Sequence, residues 1–433
     1  MSLGIIELND SGIQVAVDGE LVAHSPGYAV LDGDRLLIGE EGVDFSRLLP
    51  RWTNNRFWNQ LSTEPIANAT GAIRHHADLA FAHLESLWLP ISKDVDQVIF
   101  LVPGYYNREQ LGLLLGIAKE CGMPTAGVVD TSVATAATQA LRDVVLHLDI
   151  HLHRITLTRL TNATNLSRSD HTTVTETGIF TLWDRWANIV ANQFIQTSRY
   201  DPLHEASSEQ ALYSQLPDWI TALGGGASAT FNLNLADVNH EVSVSSEQLM
   251  AACTPIYPQV IQAIRNQVPA GQNATLLLSH RYQGFPGLTD SLNLIPNVDV
   301  VDLSANVAIE GAAGHADKII GTGSVSHVIN LPVTTRRVVD DIEKPRHASH
   351  LFFDNHAVAI GQSYKLSGDL SKGIRQDLAN PACTIFRRGN EILVDVRGGE
   401  IMLNDEPITE TTPVGIGDVL NVGGQSLTLI SVS

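Results

Sequence analysis

Between residues 3 and 40 short apolar runs are broken by turn-forming clusters: Asn9-Asp10-Ser11-Gly12, Asp18-Gly19, Ser25-Pro26 and Asp32-Gly33-Asp34. This pattern predicts several short strands joined by tight turns. The continuous apolar run Val98-Ile99-Phe100-Leu101-Val102 predicts a buried strand, followed by Pro103-Gly104-Tyr105-Tyr106-Asn107. There the period changes to that of a helix. Asn107 is placed as N-cap with Gln110 completing a capping box, Leu111, Leu114, Leu115 and Ala118 form the apolar face, and Gly122 closes the helix. A strand over 125–129 and a small-residue helix over 131–143 continue a mixed α/β progression.

A second, similar series follows. Val144–Ile150 reads as a strand and Ile155–Leu160 as its antiparallel return; helices are expected near 181–199 and 207–222. The hairpin 229–235 and 241–244 leads into a long helix from Ser245, with Gln248 at the capping-box position. A strand at 274–279, a helix near 286–294, a strand at 298–302 and a small-residue helix over 304–320 complete the block. Two strand clusters, each followed by helices, imply two similar lobes. The stretch 334–347 mixes Arg336, Arg337, Asp340, Asp341, Glu343, Lys344 and Pro345, which predicts an exposed linker. Beyond it, residues 348–433 carry only short strand-like runs and turn residues, the pattern of a β-sandwich.

Composition narrows the function classes. Hydrophobic residues make up 44% and charged ones 17%, enough for a large core, and the net charge of −20 disfavours nucleic acid or an anionic membrane as partner. Cys121, Cys253 and Cys383 are too dispersed for a disulfide framework or a zinc site. Glu7 and Asp10 stand where a secretory leader would be basic and then apolar, so the expectation is a cytoplasmic protein. His147, Asp149, His151 and His153 alternate and could seat a metal on a flat strand. A turn after Ile150 would break the alternation and leave a polar hairpin face instead.

In order along about 330 residues, the first block resembles the nucleotide-binding domain of the seventy-kilodalton heat-shock chaperones, of the actin-like ATPase superfamily. Ser25-Pro26-Gly27-Tyr28 leading to Arg35–Gly39 matches the second hairpin region of that family, and Val102-Pro103-Gly104-Tyr105-Tyr106-Asn107 is similar to its Val-Pro-Ala-Tyr-Phe-Asn signature. Ser304–Ala316 corresponds to its late small-residue helix, and Leu277 to Pro286 to its adenosine loop. The resemblance implies an α/β fold of two duplicated RNase H-like lobes over residues 1–333, with an all-β sandwich after the linker.

The same resemblance places the nucleotide cleft at Glu7, Asn9, Asp10, Ser11, Asp130, Asp149, His151, Ser279 and His280, and each motif departs from the family. Glu7-Leu8-Asn9-Asp10-Ser11 stands for Asp-Leu-Gly-Thr-Thr, adding a side chain and a carboxylate where bare backbone should meet phosphate. Asp149-Ile150-His151-Leu152-His153-Arg154 replaces the glycines of the second phosphate loop, and Val43 stands at the catalytic lysine. Ser279-His280 replaces the Gly-Gly of the adenosine loop. The C-terminal block resembles a forkhead-associated domain, with Ser363 and Asn404 kept from its partner-binding set and Gln362 in place of its phosphate-binding arginine. The expectation is a chaperone-like pseudo-ATPase acting as a protein-binding adaptor through its sandwich, with no cofactor and no catalytic residues. The alternative is a Mg²⁺-ATP-dependent ATPase with rebuilt loops, in which Glu7, Asp130 and Asp149 hold the metal through water and Arg154 or Arg281 supplies positive charge.

Overall fold

The computed structural model describes residues 1–33, 35–142, 144–223, 226, 228–235, 238–269, 271–321, 323–332, 348, 350–353, 356–360, 363–367, 378–388 and 391–430. The chain divides into two compact units, Met1–Val338 and Val339–Ser433. The expected linker 334–347 lies outside the described residues.

The first unit is mixed α/β and is built on two six-stranded sheets. In the first, Leu3–Glu7, Ile13–Val17 and Glu20–Ser25 form an antiparallel meander. Gln97–Val102 and then Thr125–Asp130 add parallel to Leu3–Glu7 on its other side. The second sheet repeats this plan. Val144–Ile150, Arg154–Asn162 and Asn165–Thr175 form the meander, and Ala274–Leu278 and Val298–Asp302 add in parallel. In chain order both sheets therefore read 5-4-1-2-3. Near the end of the unit, His327–Val328 joins the edge of the first sheet and Asn330–Pro332 the edge of the second.

Packing explains which segments became helices. The Arg108–Glu120 helix has the expected capping box, with Gln110 N donating to Asn107 Oδ1 at 2.9 Å. It covers the outer face of the first sheet together with His76–Trp88, around Phe57, Phe100, Leu84 and Leu114. Ile179–Ser198 and Ala206–Leu223 cover the outer face of the second, around Trp186, Phe194 and Leu276. Between the sheets lie the short helices Thr131–Ala136 and Val307–Gly314, whose small residues pack with Ile5, Leu101, Val145 and Leu277 in a shared middle core.

Several expected elements are shorter than their patterns suggested. The helix from residue 131 ends at Ala136, and the helix from Ser245 is broken into Ser246–Ala252 and Tyr257–Gln267, with Pro255 in the gap. Proline has no N–H and clashes with the preceding turn, so the break is expected of it. The 304–320 segment likewise resolves into Val307–Gly314 and Ala316–Ile319. Asn165–Thr175 was not foreseen as a strand, because it is almost wholly polar and has no apolar alternation.

The described residues of the second unit form a six-stranded and a four-stranded antiparallel sheet. Leu351, Leu420, Leu427 and Leu429 of the first and Ile385 and Val394 of the second share one buried core.

Candidate functional site between the two sheets

The first turn of each sheet meets the other. Leu8–Gly12 closes the Leu3–Glu7 hairpin, with Gly12 N donating to Asn9 O at 2.9 Å. His151–His153 closes the corresponding hairpin of the second sheet, with His151 N donating to Arg154 O at 2.9 Å. Asn9 Nδ2 donates to Asp149 Oδ2 and to Ile150 O, both at 3.0 Å. Asp10 Oδ1 accepts from Leu152 N at 2.8 Å. Ser11 is bound within its own turn, its Oγ donating to Asn9 Oδ1 at 2.8 Å. Asn9 and Asp10 thus make hydrogen bonds that join the two sheets.

Beneath these turns Arg281 lies between two carboxylates. It sits on the 3₁₀ turn His280–Tyr282 after the strand Ala274–Leu278, and its N–H donates to Ser279 Oγ. Its guanidinium donates to Glu7 Oε1 at 3.1 Å and to Gly12 O at 3.4 Å, and lies 3.6 Å from Asp149 Oδ1. All three side chains are buried, at 8%, 3% and 7% exposure for Arg281, Glu7 and Asp149. The carboxylates share this cation unequally. Burial raises the Glu7 pKa above the usual carboxylate range despite Arg281. Burial would raise Asp149 too, but the Arg281 charge, helped by His151 and His147, outweighs it and holds Asp149 well below that range.

His151 is 1% exposed, with Nδ1 at 3.6 Å from Asp10 Oδ1 and Nε2 at 4.0 Å from Asp149 Oδ2. The Tyr105 ring meets it edge-on, and the Arg154 guanidinium lies over the Tyr105 ring, 4.1 Å from its centre. Burial works to raise Asp10, yet the contacts with His151 and the Leu152 N–H bring its pKa below the usual value. The four alternating residues do not converge. His147 pairs with Ser132 Oγ at 2.9 Å, Asp149 with Asn9 and Arg281, His151 faces Asp10, and His153 bonds Asn55 at 3.0 Å. Among the described residues no group of three or more His, Cys, Asp or Glu could hold a metal ion.

Asp130 is fully buried and both its oxygens are engaged. Oδ1 caps the Thr131–Ala136 helix by accepting from Ser132 N and Val133 N, and Oδ2 accepts from Arg168 Nη1 at 2.6 Å. Arg168 comes from the unforeseen strand of the second sheet and also reaches Gly104 O at 3.1 Å. Ser279 and His280 line a cavity of about 10 Å³ with Glu7, His147 and Arg281. That volume is about one water molecule. Val43 lies apart, on the Glu40–Phe45 helix, lining a separate cavity of about 340 Å³.

In the second unit, Asn404 has φ of 50° and forms the turn between Ile401–Leu403 and Glu406–Ile408. Both ends of its amide are used within the unit: Nδ2 donates to Asp418 Oδ1 and Oδ1 accepts from Val419 N, each at 2.9 Å. Ser363 begins a strand paired with Cys383–Arg388. Gln362 lies outside the described residues.

Sequence reasoning brought Glu7, Asn9, Asp10, Asp149 and His151 to one place, and the structure does so too. It missed Arg168 and gave Arg281 only as a source of positive charge for phosphate. Arg168 sits in no motif and Arg281 lies within the 277–286 stretch; each becomes meaningful only when strands distant in sequence bring it against a buried carboxylate. Comparison of the chain with models of known protein families and with curated proteins finds no match.

Proposed function

We propose that this protein is a non-catalytic member of the actin-like, heat-shock-chaperone type of ATPase fold that works as a protein-binding module, with its C-terminal sandwich recruiting the partner. The fold part of this reading is supported by the repeated 5-4-1-2-3 strand order and by the small-residue helices packed between the two sheets. The functional part rests on one observation, the guanidinium of Arg281 between Glu7 and Asp149. Those carboxylates are where the resemblance would put a hydrated Mg²⁺, and the Arg281 guanidinium already lies between them. A metal-nucleotide complex would have to displace that buried cation, break the Asn9–Asp149 and Asp10–Leu152 bonds, and enlarge a cavity the size of a water. Among the described residues no helix is long and apolar enough to cross a membrane.

A ligand that binds the folded state raises its melting temperature by mass action. Wild-type protein with millimolar Mg²⁺-ATP or Mg²⁺-ADP is expected to melt at the same temperature as without nucleotide. A nucleotide-dependent rise that Asp149→Ala abolishes would overturn this reading and establish the ATPase alternative.

A further inference from the structure

Beside the joined turns, whose Ser11 and Leu152 contribute to its lining, the two sheet-centred halves of the first unit part around a cavity of about 340 Å³. Such a volume lies within the range of small-molecule sites, about 300–1,000 Å³. One wall comes from the first half, through Pro26, Tyr28 and Val43; Leu152, Ile179, Phe180, Trp183, Tyr213 and Pro217 of the second half form the rest of its apolar lining. Its polar members have partners within the fold: Ser11 Oγ donates to Asn9 Oδ1, and His24 lies 3.6 Å from Glu40 at the exposed rim. Arg47 donates to Asp184 Oδ1 at 2.7 Å and Glu209 Oε1 at 3.3 Å, and its guanidinium lies 3.6 Å above the Tyr213 ring. Gln210 accepts from Arg47 N and donates to Val43 O, and Ser46 Oγ donates to Val43 O.

We propose that this cavity binds a small, flat, uncharged aromatic molecule, held between the two halves. Charge selects against the alternatives. Arg47, partly buried, is matched by two carboxylates, and at the exposed rim His24 lies 3.6 Å from Glu40, so each charged group of the lining already faces one of opposite sign. A cationic ligand meets Arg47 itself, which already covers the Tyr213 face and lies 5.1 Å from the Phe180 ring centre. Taking an ion into such a place without a partner is strongly unfavourable. A neutral ring pays no such cost and gains contact with the aromatic side chains of the lining. Because the walls belong to both halves, occupancy would also resist their separation.

The test uses the full-length protein and three ring-matched probes: indole, the anion indole-3-acetate and the cation tryptamine. Binding is measured by calorimetry and by ligand-observed saturation-transfer NMR. Indole is expected to bind, at least about tenfold more tightly than either charged probe, since burying an unpaired charge costs more than the free-energy difference of a tenfold change. Val43→Phe and, independently, Ser46→Phe place a ring in the cavity, and each should weaken indole at least about tenfold while the thermal unfolding transition persists. Should one variant fail to fold, the other still decides. A crystal soaked with 5-bromoindole should show the bromine anomalous signal in this cavity. Absence of indole binding, tighter binding of a charged probe, bromine located only elsewhere, or unchanged affinity in the filled variants would each overturn the proposal.

Discussion

His83 illustrates how much a single buried side chain can dictate. It is fully buried between two partners: Trp58 Nε1 donates to its Nδ1 at 3.0 Å, and its Nε2 lies 2.7 Å from Ser25 Oγ. Indole can only donate, so Nδ1 is an acceptor and Nε2 carries the proton that Ser25 accepts. That arrangement requires the neutral ring, and burial lowers the His83 pKa to about 3. The unfolded chain, with a histidine near the ordinary value, binds the proton first as pH falls, so stability is intact above about 6.5 and declines below it. His83→Gln keeps a donor and an acceptor but does not titrate. Between pH 6 and 4, wild type should lose stability faster than this variant by about 1.4 kcal/mol per pH unit in urea titrations; parallel curves would show that His83 is protonated in the fold. Arg281 makes the complementary case. Arg281→Gln leaves Glu7 and Asp149 buried without their cation and should cost about 3–5 kcal/mol by urea midpoint. Adding Glu7→Gln should recover part of that loss, whereas additive losses would mean the carboxylate and the arginine act independently.

At the scale of elements, close approach of helices decides more than propensity. Gly311 of the Val307–Gly314 helix packs against the Thr131–Ala136 helix, where an added Cβ would stand 1.9 Å from Ala134 O. That neighbour is backbone and cannot rotate away, so Gly311→Ala should destabilise by about 1–3 kcal/mol although alanine favours helix. Gly116, exposed within Arg108–Glu120, has nothing within 4 Å of the same position. There Gly116→Ala should stabilise by about 0.5–1 kcal/mol. Thermal unfolding of the two variants must move in opposite directions; a loss at both positions would deny the tight crossing its role. Element boundaries follow the same logic. The Asn107 cap was legible because its signal is local, whereas the strand Asn165–Thr175 was not, because its place is set by pairing with Arg154–Asn162.

At the scale of the molecule, two units carry separate cores. Leu351, Ile385, Val394, Leu420 and Leu427 form a buried cluster within the second unit, apart from the three clusters of the first. Residues 348–433 expressed alone should therefore fold, with dispersed amide NMR shifts, and residues 1–333 should unfold cooperatively at the midpoint seen in the full chain. A C-terminal fragment with collapsed amide dispersion, or a first unit that loses stability when cut, would make the chain one cooperative whole.

Much of this was fixed by the chain's own local chemistry. Turn clusters, capping residues and apolar periods predicted a mixed α/β block followed by a strand-only block, and the two compact units meet at residues 338 and 339, within the charged stretch 334–347. The same local reading located the turn after Leu8 and the turn after Ile150. What the side chains of those turns do was decided only in three dimensions. Asn9 reaches Asp149 across 140 positions, Arg281 reaches Glu7 across 274, and Arg168 reaches Asp130 across 38. Hydrogen bonds and ion pairs of this kind depend on distances of a few ångströms between segments with no shared pattern. Hydrophobic periodicity is a property of neighbouring residues, so it says which face of a strand is buried; which charge waits opposite that face is set by how the sheets pack.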